Sequence, residues 1–534
     1  MRRVEDPALL RGEGRYLDDI KVAGTLHVAF VRSPHAHALI RSVHTAEARA
    51  VSGVVAIYTA ADLANTLART RLPMAFPPGK LDENAMPYVL APREVSHVGE
   101  ALAMVVASSR YVAEDAVDRV DVDYEVLPAL VDARDALAPN APRASVELGS
   151  NIFTRFTVGF GDSGREFALA RHVFRETLFQ HRGLAHPMEG RGVLAYTEPT
   201  TGTLIIWSST QMAHEVRHNV AAMLGLEVES VRVIAPDVGG GFGSKFLVYP
   251  EEVAVAAAAK LLGRPVKWVE DRREHFVSAI QERDQYWDVE IAVDANGVLC
   301  GVRGVITHDQ GAYAPHSITV PYNSACAVPG PYQLPAYQME VIVARTNKPP
   351  VIPVRGAGYP QGTFAMERLL DRVAMSVGLD RAEVRRRNLI PPDRFPYPVG
   401  LSTRGGVPVV YDSGDYAACQ AKALDVADYA GFRERQAAAC RQGRYTGIGF
   451  AHGLKCTGRG PFEAATVRVA PSGRVAVYTG ALAMGQGLKT ALAQICAEEL
   501  GVDLSDVDVT CGDTSYVSLG LGGYGSRQTM IAGS

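Results

Sequence analysis

The sequence predicts an α+β (mixed α/β) protein of several domains, two of them related by an internal repeat. Three observations predict it. At 534 residues the chain is longer than one hydrophobic core organises. Strand-like runs alternate with helical periodicities along its whole length. The third observation is the repeat. Gln211 opens a helical stretch ending at Leu224-Gly225, followed by an apolar run at 231–233, Asp237 and Gly240-Gly241-Phe242-Gly243-Ser244. Gln486 opens another, ending at Leu500-Gly501, followed by 507–509, Asp513 and Gly522-Gly523-Tyr524-Gly525-Ser526. In both copies the helix-ending glycine and the aspartate stand 12 positions apart. Each copy offers a glycine loop whose bare amides can approach one large anionic ligand.

Taken in order, residues 1–128 form the first compositional block. Residues 25–32, 102–107 and 120–124 read as strands, and 60–67 and 110–117 as helices. Residues 129–152, with Pro139, Pro142 and the Asp132/Asp135 pair, are expected to be a linker. The next block, 153–400, begins with a helix at 166–172 and strands at 173–179 and 204–208. Its repeat helix places Val216, Val220, Met223 and Leu224 on one face, as Leu488, Leu492, Ile495 and Cys496 are placed in the second copy. Residues 251–262 predict an alanine-rich, fully buried helix. A stretch with five prolines at 391–408 suggests the boundary to a last block, 401–534. That block ends just as a glycine loop opens into a helix, so it is expected to be incomplete.

Composition narrows the function. The chain is 47% hydrophobic and 21% charged, with a formal net charge of −4, which gives no reason to expect nucleic acid or an anionic membrane surface. The longest apolar runs, 101–107 and 253–259, are far short of a membrane span. The first residues, Met1-Arg2-Arg3-Val4, carry no apolar leader. The seven cysteines are odd in number and none are in C-x-x-C spacing, which argues against an iron–sulfur, zinc or disulfide framework in this chain. A cytoplasmic protein is expected, with any electron-transfer cluster on another chain.

The motifs carry the chemistry. The glycines at 239–243 follow a strand-like run and let main-chain N–H groups converge on an anion or oxo group, although G-x-G-x-x-G spacing fails. A tight structural turn is the plain alternative. Met484-Gly485-Gln486-Gly487 precedes a helix whose free amides and dipole favour phosphate, and Gln486 can donate and accept; a glycine N-cap is its alternative. Gln211 alone reads as a capping residue. In Arg355-Gly356-Ala357-Gly358-Tyr359-Pro360-Gln361, small residues around one arginine allow a ligand close approach, or make a surface turn. The histidines of 186–189 and 214–218 lack zinc spacing. Arg385-Arg386-Arg387 reads as a solvated helix face.

Together with Gly14-Arg15-Tyr16-Leu17-Asp18-Asp19, Arg32-Ser33-Pro34-His35-Ala36, Val98-Gly99-Glu100, Asp123-Tyr124-Glu125-Val126-Leu127-Pro128 and Glu367-Arg368, these motifs resemble the molybdenum-binding large subunit of the xanthine oxidase family. The style is that of bacterial aldehyde and carbon monoxide dehydrogenase-like members. The resemblance implies an N-terminal α/β hammerhead domain followed by two related molybdopterin-binding domains, the second incomplete here. It implies a molybdenum–molybdopterin cofactor, in the cytosine dinucleotide form, with the metal held by the pterin dithiolene and by no protein side chain. Gln211, Phe242 and Arg355 become the catalytic candidates. Gln211 would meet an oxygen ligand of the metal, with the Phe242 backbone beside it. Cofactor-binding candidates are Gln211, Gly240, Gly241, Phe242, Gly243, Arg355, Gly356, Ala357, Gly485, Gln486, Gly487, Gly525, Ser526, Arg527 and Gln528. Phe246, Asn323 and Ala357 stand at the substrate positions, where they disfavour a purine and suit an aldehyde or aromatic N-heterocycle. Gly356 stands where carbon monoxide dehydrogenases carry cysteine.

The implied reaction is oxidative hydroxylation of an electron-poor carbon, with electrons leaving through an iron–sulfur (2Fe–2S) small subunit and an FAD medium subunit in a dimer of heterotrimers. The family's general-base glutamate falls beyond residue 534, so no base is assigned in this chain; Glu189 and Glu463 are unsupported substitutes. The rival readings are a catalytically inactive cofactor-binding or assembly subunit and a generic binder of another phosphate ligand.

Overall fold

A computed structural model describes residues 3–73, 83–316 and 318–534; Met1 and Arg2, which open the segment read as lacking a leader, lie outside the described residues. The chain folds as a mixed α/β protein, as expected, around three main sheets. The largest has seven strands, in the spatial order Val231–Ile234, Leu204–Ser208, Gly192–Thr197, Val266–Val269, Leu26–Arg32, Ala101–Ala107 and Val54–Thr59. Strands from both sides of the 129–152 segment therefore share one sheet, joined where Leu26 pairs with Val266. Helix Pro250–Leu262 packs on it and is buried from Glu251 through Ala259, then surfaces at Lys260 and Leu261 rather than staying buried to its end. Its methyl-sized side chains let it approach the strands closely, and they share one core with Met104, Ile206 and Trp268.

Charge is buried here too. Arg32 meets Glu251 at 2.9 Å, and Arg191 meets Glu251 at 3.3 Å and Glu270 at 2.5 Å. This explains Arg32 in the N-terminal motif: it ties strand Leu26–Arg32 to the helix above it. Pairing is what makes such burial tolerable.

A second sheet of five long strands runs Ile152–Phe160, Ala336–Ala344, Leu299–Asp309, Glu282–Val293 and His172–Gly183. Helices Thr319–Ala327 and Tyr359–Val377 close its core around Trp287, Val302, Leu369 and Val373. The proline-rich stretch 391–408 does not simply interrupt structure. Tyr397–Ser402 and Pro408–Tyr411 pair as a hairpin, and Val399 and Leu401 are buried in that core. Residues 129–152 also pack rather than tether. Leu130, Ala133, Ala136 and Ala144 form a small core with Ala344, and Asn347 bonds the backbone at Leu130, Ser96 and Ala144.

The repeat is longer in space than in sequence. In the first copy a hairpin, Gly192–Thr197 with Leu204–Ser208, leads into helix Ala213–Leu224 and then into parallel strand Val231–Ile234. In the second, hairpin Ala465–Val469 with Val475–Thr479 leads into helix Leu488–Leu500 and parallel strand Val507–Cys511. Both helices stop at a left-handed glycine, Gly225 at φ 62° and Gly501 at φ 68°. The copies meet at their strand ends. Ala235 N donates to Gly512 O at 2.7 Å, Thr514 N donates to Val233 O at 3.0 Å, and Arg232 pairs with Asp513 at 2.6 Å.

Several expectations need correction. The helix expected at 60–67 ends at Leu63. The one expected at 166–172 is Ser163–Leu169, started by the Asp162 side chain accepting from Arg165 N, and 172 already begins a strand. Arg385 is not solvated: it is fully buried between Glu367 at 2.7 Å and Asp371 at 3.0 Å. Only Arg386 and Arg387 lie outward, both on Glu383. Among the described residues no helix is long and apolar enough to cross a membrane.

Candidate functional site

Gln211 sits where the two copies meet, and it does more than cap a helix. Its Oε1 accepts from Gly243 N at 2.8 Å and its Nε2 donates to Gly523 O at 2.6 Å. Its own backbone N donates to Lys245 O at 2.8 Å, and its carbonyl accepts from Gly523 N at 2.9 Å. One buried side chain thus staples the first glycine loop to the second. The packing requires the glycines: a Cβ at Gly241 would lie 2.5 Å from Gln211 Oε1, and one at Gly522 would collide with the Gln211 carbonyl.

Three non-glycine residues in these loops are held left-handed: Phe242 (φ 56°), Ala357 (φ 50°) and Ser526 (φ 54°). Each costs on the order of 1–2 kcal/mol, a strain that persists only where the surroundings over-determine it and that gathers at functional sites. The loops brace each other, since Arg355 N donates to Phe242 O at 2.8 Å while the Arg355 side chain stays exposed. Gly356 (φ 110°) and Gly358 (φ 97°) make the turn that lets Asn323 Nδ2 donate to Ala357 O at 2.8 Å. Phe246 is buried below, its ring 5.1 Å from Tyr524 and 5.0 Å from His316. The three positions expected for substrate therefore lie around the same loop system.

The second copy is tied more internally than expected. Gln486 Oε1 accepts from Met484 N, and its Nε2 donates to Leu482 O at 2.9 Å and Gln528 Oε1 at 2.8 Å. Gly485 (φ 90°) has no heavy atom within 4 Å of where a Cβ would sit, while its carbonyl accepts from Arg3 Nη1 at 3.2 Å. Gly487 (φ 78°) opens the helix, and Gly240 (φ 93°) lies under the Phe242 ring. Arg527 is fully buried: it pairs with Glu463 at 2.5 Å and donates to the carbonyls of Arg459 and Gly522. The N-terminus of helix Leu488–Leu500, expected to favour phosphate, meets a carboxylate of the chain itself, since Thr490 N and Oγ1 donate to Glu5. Burial works against the charged Glu5 carboxylate, but the hydrogen bonds from Thr490 hold its pKa below the usual value.

Both substitute glutamates are engaged. Glu189 accepts from Gly239 N at 2.8 Å, Ser209 Oγ at 2.6 Å, Lys245 Nζ at 3.0 Å and Leu17 N at 3.3 Å. Burial drives the Lys245 ammonium pKa down, and Glu189 opposes that. Glu463 holds Arg527 and receives Leu521 N.

Sequence reasoning missed a cavity of about 160 Å³ at the junction of the copies, lined by Arg15, Trp207, Asp237, Leu482, Lys489 and Cys511 among others. Arg15 N donates to Asp237 Oδ2 at 2.9 Å there. Arg15 already stood in the N-terminal motif and Asp237 in the repeat; nothing local to either showed that they touch.

Comparison with known proteins agrees with this architecture. Residues 11–128 match the aldehyde oxidase and xanthine dehydrogenase a/b hammerhead domain, and 145–389 and 422–534 match two molybdopterin cofactor-binding domain families. The domain composition is thus that of a molybdopterin-binding protein. Among relatives, the 6-hydroxypseudooxynicotine dehydrogenase complex subunit gamma of Paenarthrobacter nicotinovorans is 36% identical over 99% of this chain and 67% of its own. The nicotine 6-hydroxylase large subunit of the same organism is 36% identical over 99% of this chain and 66% of its own. The structure of quinoline 2-oxidoreductase from Pseudomonas putida 86 superposes with a TM-score of 0.93 at 37% identity, covering 100% of this chain and 69% of that one. This chain belongs to the xanthine oxidase family of molybdopterin-binding large subunits, and it spans about two thirds of the length of these relatives.

Proposed function

We propose that the chain forms the cofactor-binding part of a molybdenum hydroxylase that oxidises an aromatic N-heterocycle or an aldehyde. The observation that carries the reading is the Gln211 staple, with strained Phe242, Ala357 and Ser526 around it. The residues fit the cofactor. Gly485 leaves the space of a side chain empty, with Arg3 on its carbonyl, and Arg15 and Lys489 put positive charge beside the cavity between the copies. That cavity suits a phosphate-sized part of a dinucleotide, and we assign the cytosine form. When bound, the molybdenum centre supplies the two-electron redox chemistry and the oxygen transfer.

The protein's own share is positioning. Gln211, both of whose amide atoms are spent on glycine-loop backbone, fixes the distance between the loops and presents its edge at a set place. Phe242 and Arg355 close one side through main-chain contact. Gly240, Gly241, Gly243, Gly356, Gly485, Gly487 and Gly525 let the ligand approach closely, and Gln486, Ser526, Arg527 and Gln528 shape the second loop. Phe246, Asn323 and Ala357 form the substrate wall. Glu189 and Glu463 spend their oxygens on structural partners, so neither is proposed as the general base. Residues 1–128 serve as the hammerhead and 129–152 as its packed connection; the first cofactor domain runs from 153 through the Tyr397–Tyr411 hairpin and the second follows it to 534. Electrons pass to iron–sulfur and FAD subunits of a cytoplasmic dimer of heterotrimers. The names of the nicotine- and quinoline-acting relatives favour the heterocycle over the aldehyde.

The test is to purify the protein with its partner subunits, measure molybdenum and cytidine nucleotide per chain, and assay quinoline and benzaldehyde with a dye acceptor. About one of each per chain with heterocycle turnover supports the reading. Metal and nucleotide without turnover of either compound would favour an inactive binder, and absence of both would end it.

A further inference from the structure

Beside the substrate wall stands a group of charges that the reading above does not use. Arg459 Nη2 donates to Tyr359 Oη at 2.8 Å, its Nε donates to Cys456 Sγ at 3.3 Å, and Tyr359 Oη lies 3.0 Å from that sulfur. Lys455 Nζ lies 5.8 Å from the Tyr359 ring centre and 3.5 Å from Ser526 Oγ. The group is wedged between the two strained loops. Tyr359 follows Gly358 at the start of helix Tyr359–Val377, and a Cβ on Gly525 would rest 3.2 Å from that of Arg459. Gly460, next in the chain, lies against Tyr524, whose ring covers Phe246.

The group lacks a counter-charge. Of the other buried arginines, Arg32, Arg182, Arg191, Arg385 and Arg527 each meet a carboxylate, while Arg345 lies over the Phe153 ring without forming an ion pair among the described residues. Lys455 and Arg459 form no ion pair with a carboxylate among the described residues, and Arg459 is left with two weak acids, a phenol and a thiol. The local field reflects this. Burial and then Arg459 lower the pKa of Arg404, and the same two influences lower that of Lys455. Against the effect of burial, hydrogen bonds from Tyr359 and Arg459 pull the Cys456 thiol below its usual value. An excess of positive charge beside the Phe246–Tyr524 ring pair is completed by a bound anion.

We propose that Lys455, Arg459 and the Tyr359 hydroxyl form an anion-binding group beside the substrate wall, and that the substrate is an aromatic heterocycle bearing a carboxylate. This rests on the hydroxylase reading for its chemistry, but not for its binding. In the structure the Cys456 sulfur accepts from Arg459 Nε at 3.3 Å. A bound carboxylate takes over that donor and covers the thiol.

The experiment compares quinoline-4-carboxylate with quinoline in the complete enzyme complex, using a dye acceptor. The carboxylate is expected to have the higher kcat/KM by about ten-fold or more, carried in KM and eroded by salt, as one charge-assisted hydrogen bond supplies. In Arg459→Gln and Lys455→Gln the ratio is expected to fall towards one, and Arg459→Lys is expected to recover part of it. Equal kcat/KM in the unmodified enzyme, or an unchanged ratio in both glutamine variants, overturns the proposal. So does loss of molybdenum or cytidine nucleotide from the variants, which would give these cations to the cofactor. A second readout needs no turnover: the rate at which iodoacetamide alkylates Cys456, followed by peptide mass spectrometry. Benzoate is expected to slow it several-fold and benzamide to leave it unchanged. If neither quinoline turns over, the hydroxylase reading fails while benzoate protection still supports the anion site; no protection overturns it.

Discussion

Removing the Glu463 carboxylate gives a sharp separation of structural from catalytic roles. Arg527 and Glu463 have fully buried side chains and meet at 2.5 Å, and Leu521 N adds two 3.3 Å contacts to the same carboxylate. Glu463→Ala leaves the guanidinium buried with only carbonyl partners. Breaking one side of such a pair costs about 3–5 kcal/mol. In a chain with several cores that cost appears as local opening rather than as a single melting temperature. Opening weakened by that amount speeds amide exchange at 520–527 by a factor of about 10² to 10³ or more, while exchange in strand Glu282–Val293 stays as it was. Hydrogen–deuterium exchange with mass spectrometry measures it. Glu463→Gln, which keeps the shape, is expected to lose about half as much. If Glu463→Ala leaves exchange at 520–527 unaltered and only removes one limb of the pH–rate profile, the structural assignment is wrong and Glu463 is a base.

Three further outcomes are expected. Burial pushes the Glu252 carboxyl up to about 7, so it is held neutral in the folded state well above its unfolded pKa of 4.5. Its contribution to stability is complete below pH 4.5 and is lost as pH rises through 7, at no more than about 1.4 kcal/mol per pH unit; in Glu252→Gln, urea titrations between pH 5 and 8 should show a flatter dependence. Gly522→Ala adds a Cβ that collides with the Gln211 carbonyl at a backbone φ of 66°, and it should reduce cofactor content several-fold by separating the loops; full nucleotide content would disprove the staple. Glu5→Gln removes a carboxylate from the first turn of helix Leu488–Leu500 and should cost about 0.5–1 kcal/mol, seen as faster exchange at 490–493 and nowhere in the first copy.

The parts of this structure that were legible in the sequence are those written in local grammar. Gly225 and Gly501 end helices because only glycine sits easily in the left-handed turn, so the repeat announced itself through spacing. Leu26–Arg32, Arg110–Val117 and Leu204–Ser208 fall within a residue of expectation for the same reason. What stayed hidden depends on pairing across distance. Nothing near Val266 indicates that it will lie beside Leu26, and nothing near Gln211 indicates an acceptor at Gly523. Arg385 looked solvated because its run is basic, yet Glu367 and Asp371 on another helix draw it inside. In the second copy the hairpin was missed although Ala465, Val467 and Val469 alternate with Thr466 and Arg468, because that edge strand is exposed along its whole length and its place is set only by pairing with Val475–Thr479.

The junction of the copies also has a meaning in time. Gln211 leaves the ribosome more than three hundred residues before Gly523, the partner of its amide nitrogen. Until that partner arrives, the first glycine loop has half of its bracing and the Ala235 amide lacks the Gly512 carbonyl. If this junction is the proposed cofactor seat, it cannot be complete before residue 523 has been made, and cofactor loading would then report that both copies have docked.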